Sequence, residues 1–333
     1  MSTQTLLRRA IRRPVNAQRV HGRYLAPLAS VVLFVALFST VILRYAFASP
    51  SQVFLNLLVD NAHLIVLAVG MTFVILTGGI DLSVGSVVAL STVILAKALQ
   101  SGWPTPVAIA TVLIVGPLLG LLMGTVIELF EVQPFIVTLA GMFLARGLCY
   151  VISVDTLPIK DPLLRSLGLN YVYLYEDKFI RWTVVIALTV VVVAMFVLHE
   201  TRFGRTVYAI GGSRQSAQLM GLAAARTQIS VYVISGFCAA LAGLLLGVQK
   251  LSGYSLNGVG LELDAIAAAV IGGVLLSGGV GFVFGSLIGV LVLGTIQVFV
   301  TTENLDSYWT RIMTGIMLLI FVLVQRVLVR NTR

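Results

Sequence analysis

Long uninterrupted apolar runs set the strongest limit on how this chain can fold. The hydrocarbon core of a bilayer is about 30 Å thick, and a helix needs roughly 20 apolar residues to cross it. Because every backbone N–H and C=O group in lipid needs a partner within the protein, such runs should be helical. The sequence therefore predicts ten membrane-spanning helices, at residues 25–45, 61–78, 82–100, 105–127, 134–153, 180–199, 227–250, 262–278, 282–300 and 310–328.

The composition agrees with an integral membrane protein. Hydrophobic residues make up 59% of the 333 positions and charged residues 11%, whereas soluble domains carry about 25% charged residues. The predicted fold class is all-α, a polytopic transmembrane helical bundle in the lipid bilayer. Cys149 and Cys238 lie inside apolar runs without metal-ligand spacing, so we interpret them as small buried side chains.

The first apolar run decides whether the N-terminus is a cleaved signal or a retained helix. Six arginines precede it, and residues 25–43 form an apolar stretch of 19 residues. The apolar region of a signal peptide has only about 7–15 residues. We therefore expect an uncleaved first span after a basic N-tail at residues 1–24, whose default role is attraction to anionic lipid.

The distribution of basic residues predicts the orientation in the membrane. Of the 22 basic residues, 13 lie in the N-tail, in the loop at 200–226 and at the C-terminal end. Loops with an excess of Lys and Arg face the cytoplasm. Both termini, the loop at 201–226 and the C-tail at 329–333 are therefore predicted to be cytoplasmic, and the long loop at 154–179 periplasmic. This distribution accounts for the net charge of +9, and no nucleic-acid partner is expected.

The loop at 201–221 is the longest polar interruption in the second half of the chain. It carries Arg202, Arg205 and Arg214, and four glycines divide it: Gly204, Gly211, Gly212 and Gly221. It is too short for a domain and suits a short helix that docks a cytoplasmic partner. The chain contains no GxxxxGK[ST] phosphate-binding loop, so any nucleotide hydrolysis is expected on a separate subunit.

The periplasmic loop at 154–179 mixes acidic and basic residues with two prolines. Such a loop suits either a docking surface for a soluble partner or a solvated connector.

Two glycine-rich segments resemble each other and form an internal repeat. Residues 74–90, VILTGGIDLSVGSVVAL, align without gaps to residues 274–290, VLLSGGVGFVFGSLIGV. The matched positions are Gly78, Gly79, Gly85 and Ser86 with Gly278, Gly279, Gly285 and Ser286. Transporters often carry repeats with the substrate path beside glycine-interrupted helices. Chance similarity is the other interpretation, because glycines are common wherever membrane helices pack closely.

Charged residues inside a span are costly, so Arg146 and Asp81 are candidates for pathway or gating roles. Arg146 is either a pathway or packing charge or a side chain that snorkels to the outer surface, and we favour snorkelling. Asp81 either acts in transport or caps the next helix by accepting from Ser83 or Val84, and we favour the cap. Glu262 and Asp264 begin the eighth predicted span and favour its N-terminal dipole.

The polar groups of the chain suggest transport rather than catalysis. No catalytic triad, carboxylate pair or metal-ligand cluster is evident in the sequence. Few ionisable groups lie in the spans, which argues against a proton- or sodium-coupled carrier. Candidates for a sugar path in the outer half, each of which also suits an interfacial position, are Asn61, Tyr150, Tyr254 and Asn257.

Four ordered motifs connect the chain with a known family. They are LTGGIDLSVGS (76–86), QPFIVTLAGMFLARG (133–147), FGRTVYAIGGSRQSAQLMG (203–221) and LDAIAAAVIGGVLLSGGVG (263–281). From about residue 25 to 328 the chain resembles the permease subunits of bacterial ABC importers of the ribose/galactoside class. Within that class it is most similar to permeases of galactofuranose importers, partly through LAGMFLARGLCYVISVDTLPIKDP (139–162).

This resemblance implies a non-enzymatic, channel-forming subunit in the bacterial inner membrane. It also implies a second homologous permease as a heterodimer or homodimer, a periplasmic sugar-binding protein, and a cytoplasmic ABC ATPase that holds ATP and Mg. The loop at 205–221 corresponds to the part that docks in the ATPase, with Arg205, Tyr208, Gly211, Gly212, Ser213 and Gly221 as its contact residues. The implied function is import of a monosaccharide, galactofuranose first, by alternating access.

Two alternatives stay open at this point. The nearer one keeps the ABC importer and changes the cargo to ribose, another pentose, autoinducer-2 or a nucleoside. The other is an ion-coupled secondary carrier or channel that works without an ATPase.

Overall fold

The computed structural model describes residues 17–47, 49–175, 178–306 and 308–331, which form fourteen helices and two small antiparallel sheets. The helices are α1 (Ala17–Tyr45), α2 (Pro50–Asp60), α3 (Ala62–Leu76), α4 (Val84–Gln100), α5 (Thr105–Leu129), α6 (Pro134–Ile152), α7 (Pro162–Leu169), α8 (Trp182–Glu200), α9 (Arg202–Gly212), α10 (Arg214–Leu219), α11 (Ala224–Lys250), α12 (Leu261–Ile271), α13 (Val283–Thr302) and α14 (Tyr308–Asn331). The strands are β1 (Leu157–Pro158), β2 (Tyr171–Tyr175), β3 (Lys178–Arg181) and β4 (Ser252–Gly253). The prediction of a helical membrane bundle is confirmed.

Each of the ten predicted spans overlaps a helix, although the helix within 262–278 covers only part of that span. Within the described residues, six helices are long and apolar enough to cross a bilayer, namely α1, α5, α6, α8, α11 and α13. The bent pair α2–α3 is a seventh, and α4 and α14 contain shorter apolar helices. Helix α1 already begins at Ala17, so part of the predicted N-tail is helical, and residues 1–16 lie outside the described residues.

Helix α11 forms the centre of the bundle. It packs against α3, α4 and α5. Of the residues in its apolar stretch 83% are buried, compared with 33% in the apolar stretch of α5 and 22% in that of α6. A Cβ atom on Gly116 of α5 would lie 2.3 Å from the carbonyl oxygen of Gly236 on α11. Glycine therefore lets the two backbones touch, as is usual where membrane helices cross closely.

The apolar side chains that remain exposed lie on the outer helices. Leu118 on α5, Phe143 on α6 and Phe196 on α8 are each more than half exposed. In a soluble protein such a surface would drive association. Here it is the surface that a bilayer covers.

The second predicted span, 61–78, leaves out the helix that comes directly before it. The chain is already helical from Pro50, and α2 and α3 meet at Asn61 with a bend of 60°. The side-chain Nδ2 of Asn61 donates to the Leu57 carbonyl at 2.9 Å, beside the backbone N–H of the same residue at 3.2 Å. This local side-chain bond competes with helix continuation and accounts for the break.

The predicted eighth span, 262–278, is wrong as a continuous helix. Helix α12 ends at Ile271, and its 11 residues reach about 16 Å, half of the hydrocarbon core. Gly273 and Gly278 then have φ values of +94° and +82°, a conformation that ends helices and that glycine adopts without strain. The apolar run therefore continues as a turn. At the end of α12, Ser30 of α1 donates to the carbonyl oxygen of Ile271.

The segment at 154–179 folds against the bundle, so it is more than a solvated connector. Strand β1 pairs with β4, with Leu157 opposite Gly253. Leu164 of α7 is fully buried, and Gly168 lies against the carbonyl of Val248 at the end of α11. Asp161 caps α7 by accepting from the Leu164 N–H at 2.9 Å. Docking of a partner on its outer side stays a prediction.

Candidate functional site

The helix pair α9–α10 begins at a tight turn after α8. Thr201 caps α9 by accepting from the N–H of Gly204 at 3.2 Å. A Cβ atom at Gly204 would lie 2.1 Å from the carbonyl oxygen of Leu198. A glycine is therefore needed for the chain to turn this closely against the end of α8, which fixes where α9 starts.

A second cap separates α9 from α10. The Ser213 hydroxyl accepts from the Ser216 N–H at 3.2 Å. Ile210, Ala217 and Ala224 form a small buried cluster under the pair. The opposite side is open: Leu219 is 89% exposed and Met220 is 67% exposed. An apolar pair at the tip of a short helix suits a groove on another protein.

Two turns in the bundle meet α9. We call residues 76–83, beginning with the last residue of α3, the first glycine turn and residues 272–282 the second glycine turn. The N–H of Gly279 donates to the carbonyl of Leu76 at 2.9 Å. A Cβ atom at Gly211 would lie 1.9 Å from that carbonyl oxygen and 2.3 Å from the Gly279 nitrogen. Gly211 therefore sits where the two turns touch.

The matched glycines of the internal repeat contact each other at this point. A Cβ atom at Gly278 would lie 2.9 Å from the nitrogen of Gly78, and the two residues have φ values of +82° and +81°. Gly79 lies beside the Tyr232 hydroxyl of α11. The third matched pair, Gly85 and Gly285, does not meet. Gly85 packs against the carbonyl of Gly258 and the side chain of Glu262, and Gly285 packs against the carbonyl of Gly272.

Side chains bind the helix pair to the bundle. The Tyr208 hydroxyl donates to the carbonyl of Gly281 at 2.8 Å. The ring of His199, at the end of α8, lies beside the ring of Tyr208 and stacks on that of Phe282 with centroids 5.5 Å apart. Arg214 forms an ion pair with Glu128 at the end of α5. A movement of α9 or α10 therefore pulls directly on the second glycine turn and on α5.

The remaining predicted contact residues lie at the surface of the helix pair. Arg205 is exposed and its guanidinium donates weakly to the Glu200 carbonyl at 3.4 Å. Gly212 and Gly221 are exposed with no atom within 4 Å of a Cβ built on them. These positions are open to a partner.

Asp81 has the predicted capping contact. It is fully buried, and its carboxylate accepts from the Ser83 N–H at 3.0 Å and the Ser83 hydroxyl at 2.6 Å. It also accepts from the Ser235 hydroxyl of α11 at 2.7 Å. The sequence did not indicate this second contact, because Ser235 is 154 residues away. The carboxylate thus joins the start of α4 to the central helix.

Arg146 does not snorkel. Its guanidinium donates to the carbonyl oxygens of Ser255 and Asn257, the latter at 3.0 Å. Buried backbone carbonyls need donors, and a guanidinium supplies two from one side chain. Arg146 therefore holds the segment between α11 and α12, which is the packing role rather than the snorkelling that we favoured.

The two carboxylates at the start of α12, Glu262 and Asp264, have different surroundings. Glu262 accepts from the Gly260 N–H at 3.3 Å, a contact near the helix N-terminus as expected. Asp264 instead lines a cavity together with Asn61 and Asn257. Tyr150 and Tyr254 do not line it. Among the described residues, no group of three or more His, Cys, Asp or Glu side chains is placed to hold a metal ion.

Comparison with known proteins places these features in a family. The family described as "Branched-chain amino acid transport system / permease component" matches residues 53–322. The inner membrane ABC transporter permease protein YjfF of Escherichia coli K12 is 43% identical, over 91% of this chain and 92% of that protein. The fructose import permease protein FruG of Bifidobacterium longum is 42% identical over 95% of both chains. The ribose import permease protein RbsC of Haemophilus influenzae is 37% identical, over 91% of this chain and 94% of that protein. No solved structure matches the chain.

Proposed function

This chain belongs to the family of permease components of the branched-chain amino acid transport type, and we propose that it imports a monosaccharide. It is a multi-pass inner-membrane permease subunit of an ABC transporter, and ATP hydrolysis takes place on a separate subunit. We further propose its cargo, its partner proteins and the residues that couple it to the ATPase.

The observation that carries the coupling proposal is the contact of Gly211 with both glycine turns. A short, exposed helix pair that touches two interruptions in the membrane helices can pass a displacement to the bundle. Its basic residues favour the cytoplasmic side. We assign the exposed side of α9–α10 as the surface that docks in the ATPase, with Arg205, Ser213, Gly212 and Gly221 on it and Tyr208 and Gly211 beneath it.

Transport then follows by alternating access. ATP binding closes the ATPase pair and moves α9–α10, and the glycine turns transmit that movement to α3, α4, α12 and α13. A ligand shifts a conformational equilibrium only through its different affinities for the two states. Coupling therefore requires that ATP binds more tightly when the bundle has one of its two conformations.

The cargo proposal rests on two kinds of likeness. Relatives at 42% and 37% identity are named as fructose and ribose import permeases, which favours a monosaccharide. The sequence motifs resemble galactofuranose importers, so galactofuranose is the first sugar to test. Ribose, another pentose, autoinducer-2 and a nucleoside are the other cargoes in the panel.

The proposed partners are a cytoplasmic ATPase, a periplasmic sugar-binding protein and a second permease, either a homologue or another copy. Purification of the tagged chain from its native membrane in mild detergent tests this assembly. We expect an ATP-binding chain, and a sister permease if the pair is a heterodimer.

Uptake into cells separates the importer from an ion-coupled carrier. Uptake of labelled galactofuranose should stop when ATP is depleted while the ion gradients are maintained artificially. Uptake that follows the ion gradients and persists without ATP would contradict the proposal and favour a secondary carrier or channel.

A further inference from the structure

A polar cavity of about 530 Å³ lies at the end of the bundle away from α9–α10. Its walls come from the α2–α3 bend, the last turn of α11, the segment before α12, the start of α12, and α13. Its polar lining includes Asn61, His63, Gln249, Asn257, Asp264 and Gln297. Cavities that hold small ligands typically enclose about 300–1,000 Å³, so this one is large enough for a single small solute.

The chemistry of the lining suits a neutral solute with many hydroxyl groups. Asn and Gln amides each offer both donors and acceptors, and carboxylates accept from hydroxyls. Four of the lining side chains are amides: Asn61, Gln249, Asn257 and Gln297. The charged lining residues are Asp60, Asp264 and Lys250, so neither sign of charge dominates as it would in a site for an ion.

One of the lining side chains has a buried polar atom without a partner. The Nδ1 atom of His63 is buried and has no hydrogen-bond partner among the described residues. An unsatisfied buried polar atom is costly. The polar groups around the cavity are therefore not all paired with one another.

The wall before α12 is held in place by the rest of the bundle. Arg146 binds the carbonyls of Ser255 and Asn257. Gly258, at φ +73°, packs against the carbonyl of Gly85. A site on such a fixed wall presents the Asn257 side chain at a constant position, which lowers the entropic cost of binding.

We propose that this cavity is a weak binding site for a monosaccharide on its way through the bundle, an inference that rests on the proposed import function. The lining residues include no aromatic side chain of the kind that gives tight sugar binding a stacking face. Weak binding is what transport needs, because a conducted solute must enter a site and also leave it. The amides therefore replace part of the hydration of the sugar without trapping it.

Thiol protection in the assembled transporter tests the site. In Gln297→Cys, a membrane-impermeant thiol reagent added to the periplasmic side should react, and a transported sugar should slow the reaction at least threefold. A sugar that is not transported should have no effect. The unsubstituted chain is a control, because Cys149 and Cys238 are both buried. Gln100→Cys, an exposed position at the end of α4 outside the cavity, should react at the same rate with and without sugar.

Transport by apolar variants gives a second readout. Asn257→Leu and Gln297→Leu keep the approximate size and remove the amide. A lost hydrogen bond changes binding by roughly three- to tenfold, so uptake at low sugar concentration should fall by about that factor in each. Gln100→Leu should take up sugar at the unsubstituted rate.

The two proposals fail in different ways. If the unsubstituted transporter takes up sugar with ATP, but sugar does not protect Gln297→Cys and both leucine variants transport normally, the cavity is not on the path. If the unsubstituted transporter takes up no sugar in the panel, the import function itself is wrong and this inference is withdrawn with it.

Discussion

The backbone N–H of Gly279 donates a hydrogen bond of 2.9 Å to the carbonyl oxygen of Leu76. This bond joins the two segments of the internal repeat, which are about 200 residues apart in the sequence. Helix α9 covers the same point through Gly211. The two segments of the internal repeat are therefore in contact, at the point where the helix pair α9–α10 touches the bundle.

Gly211→Ala should abolish or strongly reduce uptake. Its Cβ atom would overlap the Leu76 carbonyl oxygen, which would lie at 1.9 Å, and the backbone must move to make room. Overpacking of this kind costs about 1–3 kcal/mol. Sugar uptake per molecule of assembled transporter is the measurement.

Gly147→Ala is the matched control for that variant. No atom lies within 4 Å of a Cβ built at Gly147, on α6, so uptake should stay near the unsubstituted level. Equal uptake by the two variants would show that the contact beneath α9 does not matter for transport.

Leu219→Glu should weaken the association with the ATPase. Leu219 is 89% exposed, so the substitution should leave the bundle folded while it places a charge in an apolar contact. Burying an unpaired charge typically costs several kcal/mol, and we expect recovery of the ATPase with the tagged chain to drop at least tenfold.

Gln100→Glu adds the same charge to an exposed position at the end of α4, away from the helix pair, and should retain the ATPase. If Leu219→Glu also retains it, the tip of α10 is not in the interface.

Arg146 should not be replaceable by lysine. The guanidinium reaches the carbonyls of both Ser255 and Asn257, whereas a lysine ammonium is a compact point charge. Hydrogen bonds from charged groups contribute about 1.5–3 kcal/mol each. We expect Arg146→Lys to lower the thermal midpoint in detergent, and Arg146→Met to lower it further. A snorkelling arginine would tolerate lysine without loss.

Asp81→Asn and Asp81→Ala should differ if the carboxylate works as a cap. The Asn carbonyl can still accept from the Ser83 N–H, and the Ser235 hydroxyl can turn to accept from the new amide. Loss of the cap in Asp81→Ala should cost about 1–2 kcal/mol. Thermal unfolding measures this difference. Loss of uptake in a stable Asp81→Asn protein would instead point to a need for the charge itself.

Thiol labelling checks the orientation predicted from the basic residues. Gln218 is exposed on α10, and Gln218→Cys should react with an impermeant reagent in inside-out vesicles and not in intact cells with a permeable outer membrane. Reaction from outside the cell would reverse the topology and remove the surface assigned to the ATPase.

The sequence predicted the uniformly apolar helices well and their interruptions poorly. The runs at 105–127, 134–153 and 180–199 agree within two residues with α5, α6 and α8, because a long apolar run in lipid has to pair its own backbone groups and does so as a helix. The run at 262–278 is also apolar after Asp264. In that run the positive φ values of Gly273 and Gly278 prevent a continuous helix. The hydrophobicity of a segment does not indicate such a backbone conformation.

The parts of the candidate site that depend only on residues close together in the sequence could be predicted. A short helix in the polar, glycine-divided loop at 201–221 could be predicted, and so could the Asp81 cap, from its spacing to Ser83. The partners of Arg146 and the cavity could not, because they bring together residues from distant segments. Arg146 binds carbonyls that are 109 and 111 residues away, and no local pattern marks them.

The bond from Ser30 to the carbonyl of Ile271 has a consequence for how the protein is made. Helix α12 stops partway across the hydrocarbon core, so its last carbonyls lie where lipid offers no donor. The ribosome synthesises α1 some 240 residues earlier. Helix α1 is therefore in the bilayer long before α12 is made, and this carbonyl gains its donor only when α12 packs beside α1.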